Sequence, residues 1–460
     1  MKKGKRAILL LCVVHFAHIT LAQNWPGYET GRFSGISSAN ERPGGMAPTP
    51  YKVDATLAGV HLFSQTQNLF QNNDAIGLIS SGGFQGLKGF SKLRTGRTSI
   101  YSNLQGPSVL VGVNPKFSLA FTWNMRFLWT SGVSNPEIAQ LFDKDVSHLN
   151  LSNNGETATT LFNSWNELGL GAGGQVFKKF HHSLSVGGFI KLVLGTGNIN
   201  FQMDNLDMEV SDSIVKHIGF NLQAVISSQT YDLVDEGKLK LFDRMGYGFD
   251  FGAEWRFENP RSCPGASNYM LKAGFSLTDM GQMNYNSALQ YANITVSADS
   301  ITLDRFRNAE TFRAAMDTLK GVFKLETSPA ADYKVTLPMS LRLYADYNFG
   351  NRLCIYNEFQ FMFVKMMNPG ATAPVTFRYN LTPRFEDYRF GIYLPLTFSN
   401  YIPANAGLAL RWKPFIIGSG NLFTFWIYDD IGKPMDIYLT IKIPIVKDDQ
   451  RIDYSNRKKR

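Results

Sequence analysis

Charged residues recur at alternate positions inside apolar rows of this chain, where an isolated charge would be costly. The set comprises Lys191, Asp250, Glu254, Arg256, Lys272, Arg342, Asp346, Glu358, Arg389 and Arg411. Alternate residues of a β-strand point to opposite faces, so on strands these charges would share the face opposite the apolar residues. They can form a paired, hydrogen-bonded network that fills a lumen. Alternatively, they line a polar conduit or a site for the acidic head of an amphiphile, and both can hold at different depths.

The sequence carries no recognisable catalytic motif. It has no P-loop, no nucleophile elbow and no zinc-spaced set of His or Cys. The triplet His181, His182, Ser183 comes nearest to a hydrolase cluster, but it fills a predicted tight turn without a carboxylate partner in view. We therefore expect no enzymatic activity. A lipid hydrolase is the enzymatic alternative, and it requires that a Ser183→Ala variant lose activity.

Metal and disulfide chemistry are weakly indicated. A group of acidic residues in one segment lacks the spaced oxygen ligands and turn glycine of an EF-hand loop; it consists of Asp204, Asp207, Glu209 and Asp212. We expect no metal and no cofactor. Cys263 and Cys354 can form a disulfide in an oxidising compartment, or remain two separate thiols.

The element that would position the charges is clearest between Phe117 and Trp129. Every second residue there is large and apolar, with small or polar residues between them. At about 3.3 Å per residue such a strand is about 40 Å long, enough to cross a bilayer when tilted. Strands of soluble sandwiches usually stop after about five or six residues. The stretch therefore predicts a transmembrane strand.

Similar alternation along the chain predicts an all-β fold, a transmembrane antiparallel β-barrel of about fourteen strands. The predicted strands are 54–65, 103–113, 117–130, 163–177, 183–194, 245–257, 269–280, 335–349, 352–365, 375–382, 388–399, 404–413, 415–428 and 435–446. An even number closes antiparallel with both termini on one side. The polar residues within 199–228 suit a hairpin above the membrane, and sixteen strands are the alternative if this hairpin joins the barrel.

Loop lengths predict an orientation, because outer-membrane barrels have short periplasmic turns and long external loops. The long loops are expected at 66–102, 131–162, 195–244 and 281–334. The first contains a basic group that either contacts glycolipid phosphates or is solvated: Lys88, Lys92, Arg94 and Arg97. The last contains an amphipathic helix over 303–323, which packs on the barrel rim or forms a lid that receives lipophilic molecules. Its lid candidates are Phe306, Phe312, Met316 and Leu319.

The two ends of the chain differ from the middle. Residues 1–22 read as a cleaved signal peptide with a basic start and an apolar centre. Residues 23–53 are rich in Gly and Pro and form either a plug or a periplasmic segment, 54–446 form the barrel, and 447–460 are a charged periplasmic tail. The formal charge of +9 comes from the signal and the tail. Because the body is nearly neutral, a nucleic-acid partner is not expected.

Several motifs carry a family resemblance. They are Gly31 to Ile36, Val53 to Val60, Gly187 to Leu192, Gly248 to Ala253, Lys272 to Gly281 and Thr336 to Pro338. Together they resemble a poorly characterised family of exported barrels from Bacteroidota-type bacteria, similar in style to long-chain fatty-acid transporter barrels. The resemblance implies an outer-membrane location, and the transporter likeness implies transport. Two features depart from it: residues 37–50 lack an Asn-Pro-Ala motif, and a charged tail follows Val446.

Two functions follow as hypotheses for a protein in the outer membrane of a Gram-negative bacterium. In the first, the barrel passes or holds a small hydrophobic or amphipathic molecule and contacts outer-membrane lipid and glycolipid. In the second, it is a non-enzymatic anchor or accessory component of a surface secretion or gliding assembly. The tail 447–460 would then touch a periplasmic partner.

Overall fold

The computed structural model describes residues 25–67, 96–133, 148–151, 156–211, 214–235, 244–258, 269–302, 312–325, 331–350, 352–363, 376–387, 389–399, 404–424 and 435–447. These residues form a closed antiparallel β-barrel of 14 strands, which confirms the predicted fold class and strand number. The strand segments are β1 (Tyr51–Gln67), β2 (Gly96–Gln105), β3 (Ser108–Asn114), β4 (Phe117–Val133), β5 (His148–Leu151), β6 (Ala158–Lys179), β7 (His182–Ser211), β8 (Ile214–Ser227), β9 (Met245–Phe257), β10 (Leu271–Thr302), β11 (Asp332–Thr336), β12 (Met339–Gly350), β13 (Leu353–Phe363), β14 (Thr376–Glu386), β15 (Phe390–Tyr393), β16 (Leu396–Ser399), β17 (Asn405–Ala406), β18 (Leu408–Trp412), β19 (Phe415–Ser419) and β20 (Met435–Val446).

Some barrel strands consist of two segments each. The pairs β2 and β3, β11 and β12, and β15 and β16 are separated at Pro107, Pro338 and Pro395, and β17 and β18 at Gly407. Proline cannot donate a hydrogen bond to the ladder, and glycine weakens a strand, so the ladder breaks there. The barrel closes where β1 pairs with β20, from Tyr51 opposite Val446 to Ser64 opposite Met435.

The hairpin predicted as an optional pair of strands does not widen the barrel, so the sixteen-strand alternative is wrong. Near one end of the barrel, β9 pairs with β7 and with β10. Beyond β9, β8 pairs with the same two neighbours, for example Ile226 with Ile199 and with Leu289. The hairpin therefore stands on top of β9. Because β7, β8 and β10 continue into this hairpin region, they form much of the two segments that the sequence predicted as loops, 195–244 and 281–334.

Three α-helices are present among the described residues: α1 (Ile36–Ala39), α2 (Ser228–Asp235) and α3 (Phe312–Phe323). The predicted helix over 303–323 is observed from Phe312 onward, and 303–311 lie outside the described residues. Its C-terminal end packs against the hairpin, where the Phe220 and Phe323 rings meet edge to face at 5.4 Å. Within the described part of the chain, no helix has both the length and the apolar character to cross a membrane.

Short turns gather at one end of the barrel, which we call the turn end; the opposite end is the loop end. The turns after Asn114, Lys179 and Trp412 contain two residues each, and Tyr51 and Val446 lie at the same end. β1 begins three residues before the predicted start of the barrel because Tyr51 already pairs with β20.

Residues 25–50, here called the N-terminal segment, lie inside the barrel. Trp25 meets the Tyr438 ring of β20 at 5.6 Å, while Met46 belongs to a buried cluster with Phe189 of β7. The segment approaches the wall closely, since a methyl group added at Gly44 would lie 2.7 Å from the Ala253 Cα atom. Glycine is needed at this contact because a larger residue would push the segment off the wall.

Candidate functional site

The inner face of the barrel carries a compact group of charges, here called the ionic cluster: Arg126, Glu167, Lys191, Asp250 and Asp279. The Lys191 Nζ atom lies 2.7 Å from Asp250 Oδ2 and 2.7 Å from Asp279 Oδ1. Arg126 places Nη1 2.8 Å from Asp279 Oδ2 and Nη2 3.1 Å from Glu167 Oε2. All five residues are at most 8% exposed. Mutual pairing makes such buried charges tolerable.

Asp279 reaches this cluster through a β-bulge. The pairing of β10 with β9 shifts between Leu277 and Met280, and Asp279 has a positive φ of 57°. Its backbone N–H donates to Asp250 Oδ1 at 2.7 Å. A bulge inserts an extra residue into one strand and redirects its side chain, which here turns a carboxylate into the lumen.

A second buried group is centred on Asp346, near the turn end. Its Oδ2 atom lies 3.2 Å from Lys272 Nζ and 2.6 Å from Arg384 Nη2, and it accepts a hydrogen bond from Tyr269 at 2.6 Å. Arg384 also donates through Nε to Glu386 at 2.9 Å. Charge-assisted bonds of this kind fix side chains in one geometry.

The N-terminal segment is held to the wall by charges on both sides of the lumen. Lys442 pairs with Asp54 at 2.7 Å and donates to the Ser34 carbonyl at 2.6 Å. Glu41 forms an ion pair with Arg342. The Arg32 backbone N–H donates to Glu386 Oε1 at 2.9 Å. Because these partners lie on different strands, the segment bridges the lumen.

The loop-end half of the lumen is lined by apolar side chains, here called the apolar layer. Its buried members are Phe63, Tyr101, Leu128, Trp165, Val193, Met283, Tyr285, Val335, Leu337 and Met362. On several strands the apolar residue stands two positions nearer the loop end than a charged one, as Leu128 follows Arg126 and Val193 follows Lys191. The Trp165 Nε1–H donates to Glu167 at 2.7 Å and joins the two levels.

The ten charged residues predicted from the sequence to point inward differ in burial. The structure buries nine of them inside the barrel: Lys191, Asp250, Glu254, Arg256, Lys272, Arg342, Asp346, Glu358 and Arg411. Arg389 differs from the expectation and is exposed in the turn before β15. The alternation that placed it inward holds only within a strand, and β15 begins at Phe390.

Sequence reasoning missed important partners of these charges: Asp54, Arg126, Glu167, Asp279, Arg384 and Lys442. Arg126 and Lys442 occupy the polar rows of predicted strands, so the alternation itself could have identified them. The side chain of Asp279 depends on a bulge, and no sequence signal was available for that.

The remaining candidates are placed as follows. Lys88, Lys92, Arg94 and Phe306 lie outside the described residues; Arg97 lies on β2 opposite Gln67, and Phe312, Met316 and Leu319 lie on α3. Ser183 is buried, whereas the His182 ring is exposed and stacks on Trp255 at 5.6 Å, because neighbouring residues of β7 point to opposite faces of the barrel wall.

The residues of the metal and cysteine predictions lie both inside and outside the described part of the chain. Among the described residues, no group of His, Cys, Asp or Glu is arranged to hold a metal ion. Glu209 pairs with Lys216 at 3.2 Å, and Asp212 lies outside the described residues. Cys354 is a buried free thiol, and Cys263 is outside the described residues. Of the tail, Lys447 donates through Nζ to the Thr49 carbonyl at 3.0 Å, while 448–460 are not described.

The fold and its interior define a class, a closed antiparallel barrel whose lumen holds an N-terminal segment. The chain belongs to a family of unknown function, DUF5723, which matches residues 43–420. A search of curated proteins found no significant match.

Solved barrels are distantly similar. A FadL homologue of Pseudomonas aeruginosa has 11% identity and a TM-score of 0.44, and the likeness covers 93% of this chain and 97% of that one. The monoaromatic hydrocarbon channel CymD has 9% identity and a TM-score of 0.45, with 92% and 98% covered. The Pseudomonas putida toluene transporter TodX has 7% identity and a TM-score of 0.43, with 90% and 95% covered.

Proposed function

We propose that this protein is an outer-membrane barrel of a Gram-negative bacterium that passes or holds a small hydrophobic or amphipathic molecule, and that the N-terminal segment closes its lumen. No catalytic step is part of the proposal. An origin in Bacteroidota, and contact with glycolipid through the basic group of the first long loop, stay predictions from the sequence.

The outer surface supports the membrane location. Large apolar side chains point outward from many strands, among them Leu170, Ile190 and Trp412, which are 69%, 67% and 78% exposed. Soluble monomers rarely expose contiguous apolar patches of more than a few hundred Å². A barrel with an apolar outside and a charged inside is the arrangement that a bilayer stabilises.

The layered lumen is the observation that carries the proposed function. The apolar layer faces the loop end, and the ionic groups with the N-terminal segment lie beneath it. An amphipathic molecule entering from the loop end would meet apolar side chains first and charges second. The segment contributes no strand to the barrel and contacts the wall through hydrogen bonds, ion pairs and apolar packing, so it can leave without breaking the strand ladder.

The test is conductance in planar bilayers of the refolded mature chain, beginning at Gln23, against a variant lacking residues 23–50. The deletion stops before Tyr51 and so preserves the pairing of β1 with β20. We expect low conductance from the mature chain and stable, higher conductance from the deletion. Entry of octanoate into proteoliposomes, as an amphiphile probe, should increase in parallel.

A variant lacking residues 448–460 is the matched control, because it also shortens the chain by a terminal segment. Its conductance should equal that of the mature chain. Silence from both the mature chain and the 23–50 deletion, with folding verified by heat-modifiable gel mobility, would contradict transport. The anchor hypothesis would then be favoured, and the tail deletion would be tested for loss of a periplasmic partner.

A further inference from the structure

The turn end of the barrel is ringed by basic side chains. They are Lys52, Lys116, Lys178, Lys179, Arg352, Arg389, Lys413 and Lys447, each exposed or half-buried. Among the described residues of this rim, the acidic side chains are Glu258, 2.9 Å from Lys178, and Asp387, 3.3 Å from Arg352. A surface with such an excess of positive charge raises the local concentration of anions.

A pocket lies behind this rim, between the N-terminal segment and the barrel wall. Its cavity volume, counted as the space open to the centres of water molecules, is about 50 Å³. The segment contributes Arg32 and Arg42 to its lining, and the wall contributes Glu254, Arg256 and Lys272. Four cationic side chains and one carboxylate therefore line the pocket, and Arg32 is also paired with Glu386, whose Oε1 atom lies 3.4 Å from Arg32 Nε.

The carboxylate is already engaged. Glu254 Oε1 lies 2.6 Å from Arg256 Nε, and Glu254 Oε2 accepts a hydrogen bond from Tyr344 at 3.1 Å. It therefore has limited capacity for the other cations. Lys272 forms an ion pair with Asp346, and the same carboxylate is also paired with Arg384.

Arg42 supplies the second observation. Its side chain is 5% exposed, and Nη2 donates to the Glu29 carbonyl, but Nη1 has no hydrogen-bond partner. The guanidinium otherwise contacts the Tyr356 ring, 5.2 Å from its centroid. A buried cation with an unused donor is costly. A guanidinium turned towards an anionic oxygen in the pocket would satisfy this donor.

We propose that this pocket binds one carboxylate or phosphate group, with Arg32 and Arg42 contributed by the N-terminal segment and Arg256 and Lys272 by the wall. The basic rim attracts the anion to the pocket. Because the anion contacts both sides, binding holds the segment in the lumen, as any ligand stabilises the state that it binds. This consequence rests on the proposed function, whereas the binding itself does not.

Isothermal titration calorimetry on the mature protein in neutral detergent tests the site. The probes are sodium phosphate, sodium acetate and dihexanoyl phosphatidylglycerol, at an ionic strength kept constant with sodium chloride. We expect saturable binding of at least one probe and at least tenfold weaker binding in an Arg42→Gln variant. The matched control is Lys216→Gln, which removes a charge of the hairpin whose side chain is 56% exposed and lies outside both the pocket and the basic rim, and it should leave affinity within about twofold of the parent.

The relative affinities identify the source of the anion. Tighter binding of phosphatidylglycerol than of phosphate indicates a lipid headgroup, equal binding indicates free phosphate, and preference for acetate indicates a carboxylate. Absence of saturable heat with all three probes would overturn the site, as would unchanged affinity in folded Arg42→Gln protein. If that variant does not fold, Arg32→Gln replaces it under the same criteria. Because conductance is not measured, failure here is distinguishable from failure of the proposed function.

Discussion

The two halves of the lumen contain different kinds of side chain and are stabilised by different interactions. The turn-end half contains paired charges and the N-terminal segment, and the loop-end half contains the apolar layer contributed by the wall itself. A charge needs a partner at a defined position, whereas an apolar side chain needs only complementary volume. The turn-end half thus depends on a separate piece of chain that can in principle be removed. The loop-end half can change only if wall side chains move.

The largest expected effect comes from breaking the ionic cluster. A Lys191→Met variant keeps most of the side-chain volume but leaves Asp250, Asp279 and Glu167 with Arg126 as the nearest cation of the cluster. Removing one member of a buried charge group costs about 3–5 kcal/mol, because the remaining charges stay buried without compensation. We expect the free energy of unfolding in detergent to fall by about 4 kcal/mol, measured by guanidinium titration.

Lys216→Met is the control for that experiment. Lys216 and Glu209 form a pair with side chains 56% and 51% exposed, so its loss should cost less than about 1 kcal/mol. Equal losses in the two variants would show that burial does not distinguish the ionic cluster from a surface pair.

A smaller effect is expected in the apolar layer. Leu128 is fully buried, and Leu128→Ala leaves a cavity that should cost about 3 kcal/mol in free energy of unfolding. Conductance should stay low, because the N-terminal segment remains bound beneath the cavity. Leu170→Ala on the outer face is the control and should destabilise less, since it leaves no cavity in a packed interior. A rise in conductance for Leu128→Ala alone would mean that the apolar layer is the barrier.

The third effect concerns pH and the attachment of the N-terminal segment. Burial, followed by the charge of Glu358, raises the pKa of Glu29 from 4.5 to about 7, against the opposing effect of Arg342 and Arg42. Between pH 4.5 and pH 7, Glu29 is therefore mostly protonated when the segment is bound and mostly ionised when the segment is released. The stabilisation is fully present below about pH 4.5 and decreases as the pH rises through 7.

From pH 5 to pH 8 we expect a loss of about 2 kcal/mol in the binding of the segment, measured as increased conductance in planar bilayers. A Glu29→Gln variant should show little of this dependence, because its amide does not titrate. The same pH dependence in both proteins would exclude Glu29 as its origin.

Much of the fold could be predicted because the signal is local. Alternation of apolar and polar residues is a property of each strand, and it located all the barrel strands, two of them, β9 and β20, at their observed limits. It also identified most inward charges. It failed at Arg389, where the strand had not yet begun. At the hairpin of β7 and β8, polar residues favoured a position above the membrane, but alternation alone left a sixteen-strand barrel open as the alternative.

The sequence by itself determined the closed barrel, its inward charges and the difference between the turn end and the loop end. Alternation of apolar and polar residues and the lengths of loops are local properties of the sequence. Only the tertiary structure decided which charges pair, since Lys191, Asp250 and Asp279 lie on three strands and meet through a bulge. It also decided that residues 25–50 occupy the lumen. That position depends on contacts between segments as distant in sequence as Ser34 and Lys442, which no local pattern records.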